Sequence, residues 1–246
     1  MLRISFLVLV LLVLSSGRQP VDNFKPVAVV ELFTSEGCSS CPPADKLLAK
    51  TLSETEGSNP NVFGLAFHVD YWNRLGWKDT FSTAQFSERQ GMYASAMHLN
   101  GVYTPQMVVN GATEFVGSDK SSLDEAILKS LNTKAEAGFS NLRTTQNNGN
   151  LTVDYELKGD IKNCQIHFAL ISLHVSTSVK NGENRGHLLE HTNVVRQFIS
   201  YPAAVSGHVV FSNCSNYNAA NTAVIAFVQQ QNGLRIITAA MVKTNS

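Results

Sequence analysis

The chain has 246 residues, 43% hydrophobic and 15% charged, and its 19 Lys and Arg are balanced by 19 Asp and Glu. That length suits two domains and the apolar fraction suffices for a sizeable core. Zero net charge with no basic block argues against nucleic acid or an anionic membrane surface as a partner.

Arg3 precedes the apolar stretch Ile4 to Leu14, and Ser15-Ser16-Gly17 supplies small residues for cleavage. The stretch is shorter than the roughly 20 residues a bilayer span requires. The expectation is a cleaved signal peptide over residues 1–22, a secreted or periplasmic protein, and no stable membrane span. Such a compartment is oxidising, so disulfides persist there.

The next segment alternates strands and helices. Val27 to Phe33 reads as a buried strand, and Pro43 to Leu52 as a helix with Ala44, Leu47, Leu48 and Leu52 on one face. Val62 to Val69 reads as a second strand. Ser82-x-x-Gln85 reads as a capping box opening a helix that carries Phe86, Tyr93 and Met97. Gln106 to Val109, Asn110-Gly111 and Glu114 to Val116 read as a hairpin, and Ser122-x-x-Glu125 as the cap of a last helix. After about Gly138 helical periodicity ends. Seven short strand-like runs follow, separated by Asn/Gly turns, which reads as a small β-sandwich or barrel. The expected architecture is α/β over 25–138 and β-rich, sandwich-like, over 139–246.

Cys38-Ser39-Ser40-Cys41-Pro42 falls between the first strand and the first helix. Two cysteines three apart at a helix N-terminus can close a small disulfide and reopen it by exchange. The helix N–H groups and dipole favour a thiolate on the first sulfur. Cys38 is therefore expected to be the more exposed and reactive of the two. Half a zinc site and a permanent staple are the competing readings. The absence of a second Cys-x-x-Cys weakens the first, and the small loop weakens the second. His68 and Asp70 share strand parity at the C-terminal end of the second strand, the functional edge of an open α/β sheet. A His there could stabilise a thiolate or shuttle a proton; the alternative is a His held by backbone in a loop pinned by Trp72 and Trp77. Arg74 and Lys78 read better as solvated loop residues.

The segment VVELFTSEGCSSCPPAD and the downstream Gly101-Val102-Tyr103-Thr104-Pro105-Gln106 resemble the two halves of a thioredoxin-like active site. Closer still is the resemblance to DUF1223, exported bacterial proteins of unknown function with similar AFHVDYW, GWKD, YTPQMVVNG and EFVGSD blocks. It runs over about residues 27 to 128 and, more thinly, over NRGHLLEHTNVVR in the second half. The resemblance implies a thioredoxin-like fold with a β-rich extension and thiol–disulfide activity on protein thiols or disulfides, with no cofactor. It makes Cys38 the attacking and Cys41 the resolving sulfur, and it makes Thr104-Pro105 a cis bond beside the dithiol, with the Thr104 backbone free to pair with substrate. Glu31 is then either a buried acid beneath the dithiol or an outward-facing strand residue. Two readings from other classes stand beside this one: a copper-handling chaperone using Cys38, Cys41 and His68, and a binding module with a vestigial dithiol.

In the second half, Cys164 and Cys214 are expected to form a structural disulfide. His187, Glu190 and His191 suggest a metal, but a loop feeding a solvent-facing strand edge is the preferred reading.

Overall fold

The computed structural model describes residues 24–59 and 61–244; the expected signal peptide lies outside them. The first half runs β1 (Ala28–Thr34), α1 (Pro42–Glu56), β2 (Val62–His68), α2 (Ala84–Ala96), β3 (Gln106–Val109), β4 (Thr113–Val116) and α3 (Lys120–Leu131). The second half is built of strands: β5 (Ala137–Asn147), β6 (Asn150–Gly159), β7 (Cys164–Ser178), β8 (Leu188–Pro202), β9 (Ser206–Phe211), β10 (Thr222–Gln230) and β11 (Ile236–Lys243). All seven strand-like runs of the second half are strands.

β1 is buried on both faces. Its alternation divides two cores. Val29 and Phe33 pack with Phe67, Phe86, Tyr93, Phe198 and Phe227 on one side. Ala28, Val30 and Leu32 pack with Ala44, Leu48, Leu123 and Ile127 on the other, where α1 and α3 lie. Each fully buried large side chain such as Phe33 or Phe67 contributes about 1.5–3 kcal/mol.

Two caps differ from expectation. The helix expected from Ser82 begins after Thr83 with no side-chain cap; Ser82 Oγ instead donates to the Asp79 carbonyl and accepts from Asn73 Nδ2, and Gln85 donates to the Phe198 carbonyl of β8. α3 is capped by Asp119, whose carboxylate accepts from the Ser122 N–H. The hairpin turn forms as expected, with Asn110 and Gly111 both at positive φ. The Asn110 side chain accepts from Val29 N–H and donates to the Val27 carbonyl, tying the turn to β1.

One eight-stranded mixed sheet, ordered β11-β10-β7-β8-β2-β1-β3-β4, takes strands from both halves of the chain. β1 and β2 are parallel; β3 runs antiparallel to β1 and to β4. A single parallel bridge, Ala66 to Val194, joins β2 to β8, and the Asn193 side chain donates to the Gly64 carbonyl beside it. A three-stranded sheet, β5-β6-β9, supplies Leu151, Val153, Tyr155, Val209 and Phe211 to a core shared with Phe168, Leu170, Val224 and Ala226 of the large sheet. The molecule is thus an α/β protein dominated by a large, mostly β sheet with few helices. Among the described residues no helix is long and apolar enough to cross a membrane.

Candidate functional site

Cys38 and Cys41 form a disulfide with Cα atoms 5.4 Å apart. The local sequence makes this possible by winding into turns before the helix begins: Cys38 N–H bonds to Ser35 O, Cys41 N–H to Cys38 O, and both Ala44 and Asp45 N–H to Cys41 O. Pro42 then starts α1 where no N–H partner is needed. Ser39 and Ser40 are exposed at the apex, but both cysteines are fully buried. The expectation of a more exposed Cys38 is therefore not met. The loop between β7 and β8 is bound to the dithiol loop: Asn184 Nδ2 donates to the carbonyls of Glu36 and Cys38, at 2.9 Å each, and the Glu183 carboxylate accepts from Ser39 N–H at 2.9 Å.

The Thr104–Pro105 peptide bond is cis. Pro105 is buried, and its Cβ and that of Ala44 in the first turn of α1 both flank Gly117, at 3.0 and 3.1 Å from where a Gly117 Cβ would stand. Trp72 Nε1 donates to Thr104 Oγ1 at 2.8 Å, while its Cβ would meet a Cβ on Gly37 at 3.3 Å. Trp72 thus stands between the dithiol loop and the Thr104–Pro105 segment.

Around the dithiol loop lies a buried cluster of acids and imidazoles. His68 Nδ1 is 2.6 Å from Asp79 Oδ2, an oxygen that also accepts from Glu36 N–H. Burial alone would lower the His68 pKa, but the Asp79 charge and hydrogen bond outweigh it, and the pKa lies above 6.5. Burial likewise opposes ionisation of Asp79, and the His68 charge, with the hydrogen bonds from His68, Glu36 and Phe81, overrides it and lowers the pKa. His191 Nδ1 lies 3.2 Å from Asp45 Oδ1, whose other oxygen accepts from Thr34 Oγ1. The two imidazole rings are 4.8 Å apart, and His191 Nε2 is 3.8 Å from Glu36 Oε1. Glu36 Oε2 accepts from Trp77 Nε1, whereas Glu36 Oε1 and the Nε2 atoms of both histidines have no hydrogen-bond partner among the described residues. Three carboxylates face two imidazoles here, a set able to hold and share protons. Among the described residues no three His, Cys, Asp or Glu side chains are arranged to hold a metal ion.

His68 and Asp70 have separate partners. β2 ends at His68, so strand parity does not extend to Asp70, which instead accepts from Ser87 Oγ of α2 at 2.6 Å. Arg74 and Lys78 are exposed, as their preferred reading held. Glu31 is buried but not a free acid: Arg89 grips it through Nε and through a 2.9 Å contact from a terminal nitrogen, and Tyr93 donates to it as well. Cys164 and Cys214 are both buried and free, contrary to the expected disulfide. Cys214 lines a small cavity with Leu170, six residues along β7 from Cys164. At about 3.3 Å per strand residue, Leu170 and Cys164 are about 20 Å apart along the strand. His187 and Glu190 are exposed, whereas His191 is buried against Asp45, so only part of that segment is the solvent-facing edge expected.

Sequence reasoning passed over Glu36, Asp45, Asp79, Glu183 and Asn184. Three of these sit in the blocks TSEGC, PPAD and GWKD; Glu36 two residues before Cys38 and Asp79 two residues after Trp77 were the available signals, and Asp45 offered none beyond its place in the first turn of α1. Asn184 and Glu183 carry no local signal, since their contacts lie 146 and 144 residues away.

Fold and site together define an α/β protein with a Cys-x-x-Cys disulfide at a helix N-terminus. The family model for the proteins of unknown function called DUF1223 matches residues 29–229, and the chain belongs to that family. In fold it is similar to the crystal structure of the Agrobacterium tumefaciens protein AGR_C_4864, with 26% identity over 91% of this chain and 97% of that one and a TM-score of 0.66. A domain of the outer membrane lipoprotein Omp28 from Porphyromonas gingivalis aligns at 16% identity over 45% of this chain and 97% of its own, and its TM-score of 0.26 carries no argument. A comparison with curated proteins gives no match.

Proposed function

We propose that the protein is an exported thiol–disulfide oxidoreductase with a thioredoxin-like core. The observation that carries the reading is the Cys38–Cys41 disulfide at the N-terminus of α1, directly after β1. The parallel β1–α1–β2 unit, the antiparallel β3–β4 hairpin and α3 support the thioredoxin-like comparison, as does the Thr104–Pro105 segment, linked through Trp72 to the dithiol loop. Export rests on the N-terminal sequence, residues 1–22.

In the reducing direction the Cys38 thiolate attacks one sulfur of a partner disulfide. The partner's other sulfur leaves as a thiolate and takes up a proton. Cys41 then gives up its proton and attacks the Cys38 sulfur, which re-forms the Cys38–Cys41 bond and releases the second partner thiol. Two electrons pass from the dithiol to the partner, and no cofactor takes part. N–H groups of the first turn of α1 favour the Cys38 thiolate. Glu36, two residues before Cys38, belongs to the buried acid and imidazole set, which suits proton exchange beside the reaction.

Insulin reduction in the presence of dithiothreitol tests the reading. The wild type is expected to accelerate it and Cys38→Ser to abolish the effect, while Cys41→Ser accumulates a mixed disulfide with the substrate. Equal rates for wild type and Cys38→Ser would contradict it.

A further inference from the structure

The loop joining β7 to β8 is closed at its base by backbone bonds from Val179 N–H to His187 O and from Gly186 N–H to Val179 O. Gly182, at φ +77°, lets the chain turn sharply where it rests on Trp77, whose Cβ would be 3.2 Å from any Cβ at position 182. From this seat two adjacent side chains reach the dithiol loop. Asn184, itself buried, donates to the carbonyls of Glu36 and Cys38; Glu183, from the surface, accepts from the N–H of Ser39. A carbonyl, a second carbonyl and an N–H are main-chain groups with which an extended peptide would pair. A donor amide next to an acceptor carboxylate offers the same complement that a peptide main chain offers.

We propose that the 179–187 loop stands in for the main chain of an extended, cysteine-bearing polypeptide and thereby gates the Cys38–Cys41 pair. This deepens the thiol–disulfide reading and rests on it. With the loop seated, both sulfurs are buried although Ser39 and Ser40 are exposed, so no incoming sulfur reaches them. Displacing Glu183 and Asn184 opens the Glu36 carbonyl, the Ser39 N–H and the outer side of the Cys38 carbonyl, which still accepts from Cys41 N–H, to the substrate backbone. A cavity of about 280 Å³ beside the loop, walled by Pro42, Lys46, His187 and Leu189, continues the path for flanking substrate residues. In the exchange step a substrate thiolate attacks one sulfur of the pair. A mixed disulfide forms, and the other cysteine leaves as a thiolate that takes up a proton.

The test compares wild type with Glu183→Ala/Asn184→Ala, both oxidised at Cys38–Cys41, in their rates of reduction by dithiothreitol and by a short unstructured peptide with one reduced cysteine. The double variant is expected to react at least about fivefold faster with both, the effect of weakening the closed state by roughly one net hydrogen bond. A dithiothreitol rate unchanged in a natively folded variant overturns the gate. A faster dithiothreitol rate with an unchanged peptide rate overturns the peptide-surrogate role. Should the double variant not fold, Glu183→Ala alone, altered only at an exposed side chain, is expected to react about threefold faster with dithiothreitol, and no increase there overturns the gate. Because dithiothreitol access is read without a protein substrate, a failed insulin assay with gating intact removes the oxidoreductase reading and leaves the gate.

Discussion

His68 Nδ1 and Asp79 Oδ2 lie 2.6 Å apart with both side chains fully buried, one at the end of β2 and the other in the loop leading to α2. Their pKa values move in opposite directions, which sets a window of stability. The His68 pKa lies above 6.5, so its contribution is complete below that unfolded value and is lost as pH rises through the folded one. The Asp79 pKa lies below 3.8, so its contribution is complete above that value and is lost as pH falls through the folded one. The stability difference between wild type and His68→Gln, from urea unfolding, is expected to be largest between about pH 4 and 6.5 and to shrink at higher pH. Buried His167 has the opposite slope, its pKa lowered by burial and by the Arg89 charge, but it is present in both proteins and cancels. A difference that grows from pH 6 to 9 would rule out the charged pair.

Arg89 lies beneath the rings of Phe198 and Phe227 while its guanidinium holds Glu31. Breaking a buried pair strands one charge, at a cost of about 3–5 kcal/mol, whereas replacing both partners by apolar residues is often neutral or better. Arg89→Met is therefore expected to lose about 3–5 kcal/mol in denaturant unfolding, and Glu31→Leu/Arg89→Met to recover most of it. Equal losses in the single and double variants would show that the pair does not act as a unit.

Cys164 and Cys214 are free, and burial is the first cause raising the pKa of each thiol. Without reductant, Ellman's reagent is expected to find almost no reactive thiol in the native protein and two in the denatured one. Zero thiols after denaturation would mean that these cysteines are bridged.

Asn110 serves two buried backbone groups of the strand entry, Val29 N–H and Val27 O, from a position with φ +49°. Asn110→Gly keeps the backbone and leaves two groups unpaired, costing about 2–4 kcal/mol. Asn110→Ala is expected to lose about 1 kcal/mol more, the added strain of a left-handed alanine. Thermal unfolding of both variants checks the order, and Ala more stable than Gly would contradict it.

Strands and turns were legible because their physics is local. Asn148-Gly149 and Asn110-Gly111 both take the positive φ values that their residue types favour, and the alternation of β6 shows directly as buried Leu151, Val153, Tyr155 and Leu157. The end of α1 was read short at Leu52, because its last turn, Ser53 to Glu56, is polar and leaves no apolar periodicity. The start of α2 was misplaced because Ser82 lies beside Thr83, and that of α3 because Ser122 with Glu125 has the capping-box spacing, although Ser122 itself donates to the true cap, Asp119. The join of β2 to β8 has no local sequence signal, since it rests on one bridge between distant segments. The dithiol and the cis peptide bond were legible from motif and resemblance. The burial of the sulfurs was not, because the dithiol loop is held by Glu183 and Asn184 in the other half of the chain, 144 and 146 residues away.

Redox equilibration of the Cys38–Cys41 pair against glutathione or dithiothreitol buffers, read by alkylation and mass shift, separates an exchanging dithiol from a staple. The expected result is a single two-electron transition at a potential between about −270 and −120 mV, the range spanned by thioredoxin and the strong oxidants related to it. A pair that stays oxidised to below about −300 mV, as structural disulfides do, would contradict the proposed function.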